Sequence, residues 1–118
     1  GIGFLAINAN DAASYPADSY ENMQIFARAN DLPFPYLHDR DQAVAKTYGA
    51  VCTPDFFGFN AAGELQYRGR LDASRKELED WGLRRDLFEA MVEIADTGQG
   101  PRDQIASIGC SIKWRDTA

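Results

Sequence analysis

Soft metal ligands are scarce in this chain: it has one histidine, His38, and two cysteines, Cys52 and Cys110, among 118 residues. These three stand far apart in sequence and do not suggest a zinc site, and two cysteines are too few for a disulfide framework. No metal and no other cofactor is expected. Basic residues are also in short supply. Twelve Lys and Arg face eighteen Asp and Glu, a formal charge of −6. That balance argues against a nucleic-acid surface and against docking on an anionic membrane. Nowhere does an apolar run approach the roughly 20 residues that a spanning helix needs. The start, Gly1-Ile2-Gly3-Phe4-Leu5-Ala6-Ile7, has neither an initiating Met nor a basic region ahead of its short apolar stretch, so it does not read as a secretory signal. It reads as the middle of a folded element. Two isolated cysteines suit a cytoplasmic protein with buried or redox-active thiols, although a single structural disulfide in an exported protein would look the same.

What is present is ordinary globular material, 45% hydrophobic and 25% charged, in a length that suits one domain. Residues Gly3 to Ile7 are apolar on both alternating faces, the pattern of a strand covered on each side. After the polar run Asn8 to Asp11, Asp18 or Ser19 can cap a helix, with Glu21 in capping-box position to Asp18. Tyr20, Met23, Phe26 and Ala27 carry that helix to Asn30. Pro33 and Pro35 then impose an extended stretch through Leu37. A short helix over Asp41 to Tyr48 places Ala43, Val44 and Thr47 on one side, and Gly49 stops it.

A strand is expected over Asp55 to Asn60, with Phe56, Phe57 and Phe59 spread over two covered faces. Asn60 to Gly63 makes a hairpin connection. The returning strand turns Leu65, Tyr67 and Leu71 inward and its charges outward, as an edge or half-exposed strand does. A charged stretch from Ser74 to Asp80 leads to a helix near Arg84 to Thr97, with Leu83, Leu87, Met91 and Ile94 as its inner stripe. In the tail Ile108, Cys110, Ile112 and Trp114 share one face of a period-two pattern. The order of elements is that of an α/β protein closing on an antiparallel hairpin.

Thr53-Pro54 is the most informative pair. At the entry to a strand a proline has no ladder hydrogen bond to lose, and a cis bond there costs only about 0.5–1 kcal/mol. A trans proline that simply opens the strand is the competing reading.

Taken together, Gly-x-x-Cys-Thr-Pro-Asp-Phe-Phe at Gly49 to Phe57, Tyr67 to Asp72 and Gly-Cys-Ser-Ile-Lys-Trp at Gly109 to Trp114 resemble the thioredoxin-like redoxins, in the branch of alkyl hydroperoxide reductase and thiol-specific antioxidant proteins. Further resembling blocks are Phe4 to Asp11, Tyr15 to Ser19 and Phe34 to Asp39. The resemblance implies a thioredoxin-like α/β fold with its core over residues 1–98 and a docked tail over 99–118. It implies a cis Thr53–Pro54 bond bordering the active site, with Thr53 and Pro54 binding an extended substrate thiol or disulfide. It also implies a thiol peroxidase or disulfide oxidoreductase, acting on a hydroperoxide or disulfide with a thiol electron donor. The family's nucleophilic cysteine sits at the start of a helix ahead of the strand seen here at Gly3, where the helix terminus favours thiolate. That segment has no counterpart in this sequence. The fold is thus expected to be incomplete at its N-terminus, with the central strand and active-site helix absent, and to be completed by a missing segment or a second chain.

The remaining candidates each have two readings. Cys52 is a secondary redox cysteine or a small buried residue beside a strand, and Cys110 a resolving thiol or a buried hydrophobe. The two could also bridge to each other, closing a loop worth on the order of 4 kcal/mol. Arg68 and Arg75 could stabilise developing negative charge, or be solvated surface residues. His38, in a polar turn, is a weaker catalytic candidate, and Asp39 and Asp41 suit helix capping better than acid–base work. The alternative to an enzyme is a non-catalytic thioredoxin-like module that binds a partner along the groove beside Thr53-Pro54.

Overall fold

The computed structural model describes residues 1–74 and 83–115. It is a mixed α/β chain in two compact units, one formed by Gly3–Val51 with the described residues from Ser111 to Arg115, the other by the described residues of Cys52–Cys110. Among the described residues no helix is long and apolar enough to cross a membrane.

The first unit is built on a strand–helix–strand crossover. Strand β1 (Ala6–Asn8) pairs in parallel with β2 (Tyr36–His38), with Ala6 opposite Tyr36 and Asn8 opposite His38. Helix α1 (Tyr20–Ala29) connects them, as parallel neighbours require. Its cap is Ser19, in extended backbone, whose hydroxyl accepts from the Asn22 amide at 3.2 Å. Asp18 is no part of a capping box: its carboxylate is held by the side-chain amides of Asn8 and Asn10 at 3.0 and 3.2 Å. Of the helix's expected inner stripe only Met23 is fully buried, at 3% exposure. Helix α2 (Ala43–Tyr48) is shorter than expected and buries Ala45, while Val44 is exposed. Asp39 and Asp41 cap it: Asp39 accepts from the Ala45 amide at 2.8 Å and Asp41 from the Ala43 amide at 3.1 Å.

The expectation that the first strand is covered on both faces fails. Phe4 and Leu5 precede the ladder, and they and Ile7 stay exposed, at 51%, 52% and 39%. An apolar run records a demand for burial, and a two-stranded ladder cannot meet it from its own residues. His38 lies in strand β2 rather than in a turn.

The second unit holds a hairpin and a helix. Strands β3 (Cys52–Thr53), β4 (Phe56–Phe59) and β5 (Leu65–Gly69) follow in order, and β4 pairs antiparallel with β5. Asn60 forms the turn: its side-chain oxygen accepts from the amides of Ala62 and Glu64, and Gly63 takes the positive φ of 79° that the reversal needs. Helix α3 (Asp86–Thr97) starts two residues later than expected, with Asp86 in its first turn where a carboxylate meets the helix dipole. Asp86 is buried and lies 3.1 Å from the Arg70 guanidinium. The core is Tyr67, Ala90 and Ile94, with Phe56, Leu87 and Met91 packed against it. Glycine at position 58 leaves room for the Met91 side chain of α3: a Cβ there would lie 2.5 Å from the Met91 sulfur.

Two expectations for β5 are corrected. Tyr67 points inward but Leu65 and Leu71 are about half exposed, at 50% and 49%, Leu71 lying past the strand's end at Gly69. Its outer edge is not free either. Gln104 and Ile105 run along it, with the Gln104 amide bonded to Gln66 and Arg68 backbone and the Ile105 carbonyl accepting from the Arg70 amide at 3.0 Å. A segment without regular structure has covered the edge.

Candidate functional site

The site is assembled in the second unit where the chain passes from β3 into β4. Strand β3 is paired with β6 (Cys110–Ser111), so the sequence-distant Cys52-Thr53 and Cys110 share one ladder. The Thr53 hydroxyl donates to the Cys110 carbonyl at 3.4 Å. Gly109 makes the approach possible: a Cβ on it would sit 2.2 Å from the Thr53 carbonyl oxygen and 3.4 Å from the Pro54 nitrogen. The Thr53–Pro54 peptide is cis.

Both cysteines are free thiols, unlike in environment. Cys52 is buried, its sulfur 3.7 Å from the Pro54 carbonyl. Burial pushes its thiol above the ordinary range, the Asp55 carboxylate adds to the rise, and the Arg68 guanidinium opposes it. A thiol held protonated in this way is a poor nucleophile. Cys110 is exposed, which overturns its reading as a buried hydrophobe. The tail's alternation suggested a covered face, but β6 and its partner are each two residues long. Ile108 on the same face is 94% exposed, and only Ile112 is buried. The free thiols also leave no Cys52–Cys110 bridge in this structure.

Arg68 stands 3.5 Å from Asp55 and 5.2 Å above the Phe57 ring. Asp55 in turn is approached by the Ser107 hydroxyl at 3.0 Å, which shares its hydrogen with the Gly69 carbonyl at 2.6 Å. Arg75 lies outside the described residues. Among the described residues no cluster of three or more His, Cys, Asp or Glu could hold a metal ion. The sequence thus pointed to Cys52, Thr53, Pro54, Arg68 and Cys110 but not to Gly109, Asp55 or Ser107. Asp55 was visible as the residue after the proline. Ser107 carried no signal, since its contacts depend on the tail's path along β5.

These features define a mixed α/β protein with an exposed thiol on a strand laddered to a Cys-Thr-Pro bend. The AhpC/TSA family model matches residues 2–68, more than half of the chain, and the chain belongs to that family. Among solved structures it is similar to an uncharacterized conserved protein from Geobacillus kaustophilus, with 45% identity and a TM-score of 0.90 over 100% of this chain and 62% of that one. It is also similar to a hypothetical protein from Sinorhizobium meliloti, with 38% identity and a TM-score of 0.85 over 98% of this chain and 63% of that one. The chain therefore spans less than two thirds of the length of either. No curated protein matches it.

Proposed function

We propose that the chain is the larger part of a thiol peroxidase or thiol–disulfide oxidoreductase of thioredoxin-like fold, whose attacking cysteine lies outside these 118 residues. The observation that carries this reading is Cys110. In a member of the AhpC/TSA family, an exposed free thiol is held on a strand paired with Cys52-Thr53. The solved relatives are longer than this chain, which leaves room for the missing cysteine and for the strand and helix that would carry it.

The attacking thiolate cleaves the O–O bond of a hydroperoxide, becoming a sulfenic acid and releasing an alkoxide that takes up a proton as alcohol. Cys110, as thiolate, then attacks the sulfenic sulfur and expels hydroxide, which leaves as water after protonation. The disulfide so formed is returned to two thiols by two exchanges with a dithiol donor, which is itself oxidised. Thr53 and Pro54 bind the substrate or donor beside this thiol. Arg68, engaged by Asp55, moderates the charge around Cys52 rather than meeting substrate. Residues 99–118 act as a docked tail whose task is to deliver Cys110.

The test is to treat the protein, extended to the length of its solved relatives, with hydrogen peroxide and map its disulfides by mass spectrometry. A disulfide linking Cys110 to a cysteine outside this chain is expected, and Cys110→Ser should accumulate sulfenic or sulfinic acid on that partner. Unchanged turnover and no disulfide at Cys110 would overturn the resolving role. Absence of turnover from any thiol would favour the non-catalytic binding module instead.

A further inference from the structure

We propose that a second site, in the first unit, binds a small oxyanion, a molecule bearing a carboxylate or phosphate group. The site is an open cleft of about 430 Å³ lined by Asp11, Ala12, Ser14, His38, Arg40 and Arg115, among others. That volume falls within the range of small-molecule sites.

Charge is the first ground. The chain carries −6 overall, yet among the described residues this cleft is lined by two arginines, Arg40 and Arg115, against one acidic residue, Asp11. Among the described residues neither Arg40 nor Arg115 has an ion-pair partner. The one carboxylate, Asp11, is turned onto its own loop, accepting from the Ala13 amide at 3.2 Å and the Ser14 hydroxyl at 3.0 Å. Planar guanidinium forks match carboxylate and phosphate oxygens in pairs, and do so without losing their charge at any ordinary pH.

Construction is the second ground. Gln42, 1% exposed and in the left-handed region at φ 64°, ties the walls of the cleft together. Its side-chain amide donates to the carbonyls of Ala9 and Lys113 at 2.7 and 2.9 Å, and its oxygen accepts from the Arg115 amide at 3.0 Å. The Lys113 amide donates to the Asn10 side chain at 2.9 Å, and its carbonyl accepts from the Asp11 amide at 2.7 Å. On the other wall, the backbone beside Arg40 is fixed through Asp39, whose amide donates to the Asn8 carbonyl at 2.9 Å. A non-glycine residue held in this conformation by so many bonds marks an over-determined framework, of the kind that accompanies binding sites. Both arginines therefore rise from anchored backbone, which lowers the ordering cost of gripping a ligand.

Calorimetric titration of the protein with inorganic phosphate, and separately with succinate, at constant ionic strength tests the proposal. Saturable binding of at least one is expected. Phosphate alone would assign a phosphorylated ligand, and succinate alone a carboxylic acid. Arg40→Gln and Arg115→Gln, both at exposed positions, should each weaken it at least about tenfold. Arg28→Gln, an exposed arginine of α1 outside the cleft, should leave it unchanged. No saturable binding of either probe, or equal weakening by Arg28→Gln, would overturn the site.

Discussion

A missing methyl group decides whether the tail reaches the Thr-Pro bend. Gly109 lies so close to the Thr53 carbonyl that a Cβ would need 2.2 Å where backbone cannot yield cheaply. Gly109→Ala should cost about 1–3 kcal/mol in urea unfolding and speed amide exchange at Cys110, because the β3–β6 ladder must part. Gly109→Ala with the exchange unchanged would show that the ladder tolerates it. The two thiols differ just as sharply. At neutral pH iodoacetamide should label Cys110 well before Cys52, read from peptide masses, since Cys52 is both buried and held protonated. The same shift has a stability consequence. Cys52 and Tyr67, both raised chiefly by burial, titrate from 9.0 and 10.0 in the unfolded chain and higher in the folded one. Below those values both states are protonated and the contribution is whole. As pH climbs past 9.0 the unfolded state sheds its protons first, so stability should fall, and Cys52→Ala should remove the earlier part of that fall in urea midpoints. At this scale the sequence was a partial guide. Cys-Thr-Pro was legible because proline and cysteine carry their chemistry in their identity. The Asp55–Arg68 pair and the fit of Gly109 were not, because each is a distance between residues far apart in the chain.

Helices and strands were more legible than their coverage. Helix α3 ends where Gly98 predicts, and Ile94 lies where the 3.6-residue period puts it. Ile94→Ala should therefore cost about 2–5 kcal/mol, while Val92→Ala, on the exposed side of the same helix, should stay within about 0.5 kcal/mol. Equal losses at the two positions in denaturant midpoints would mean that α3 presents a different face to Tyr67. Period-two patterns were a poorer guide. Leu65 and Leu71 alternate correctly with Tyr67 and still lie half exposed: a register shift between Gly58 and Phe59 breaks the ladder beside Leu65, and Leu71 lies past the strand's end at Gly69. The outer edge of β5 was readable as an edge, but not as one shielded by Gln104 and Ile105, whose segment has no strand signature.

For the molecule as a whole, the telling quantity is apolar surface left uncovered. In the first unit Phe4, Leu5, Phe26 and Leu37 are 51%, 52%, 52% and 46% exposed, though the sequence around Gly3 to Ile7 has the pattern of a strand buried on both faces. Burying one such side chain fully is worth about 1.5–3 kcal/mol, and covering the exposed half of several approaches the 5–15 kcal/mol that holds a domain together. The solved relatives match nearly all of this chain with only 62% and 63% of their own length, so the remainder of a chain of that length is available as cover. The 118 residues alone should then bind a hydrophobic dye and associate with rising concentration in sedimentation. Extension to the length of the relatives should abolish both and raise the Tm by at least about 5–10 °C, as a few kcal/mol does in a protein of that size. A monomeric, dye-free 118-residue chain with the same Tm as the extended one would mean that these side chains want no cover, and that the proposed central strand and helix belong elsewhere.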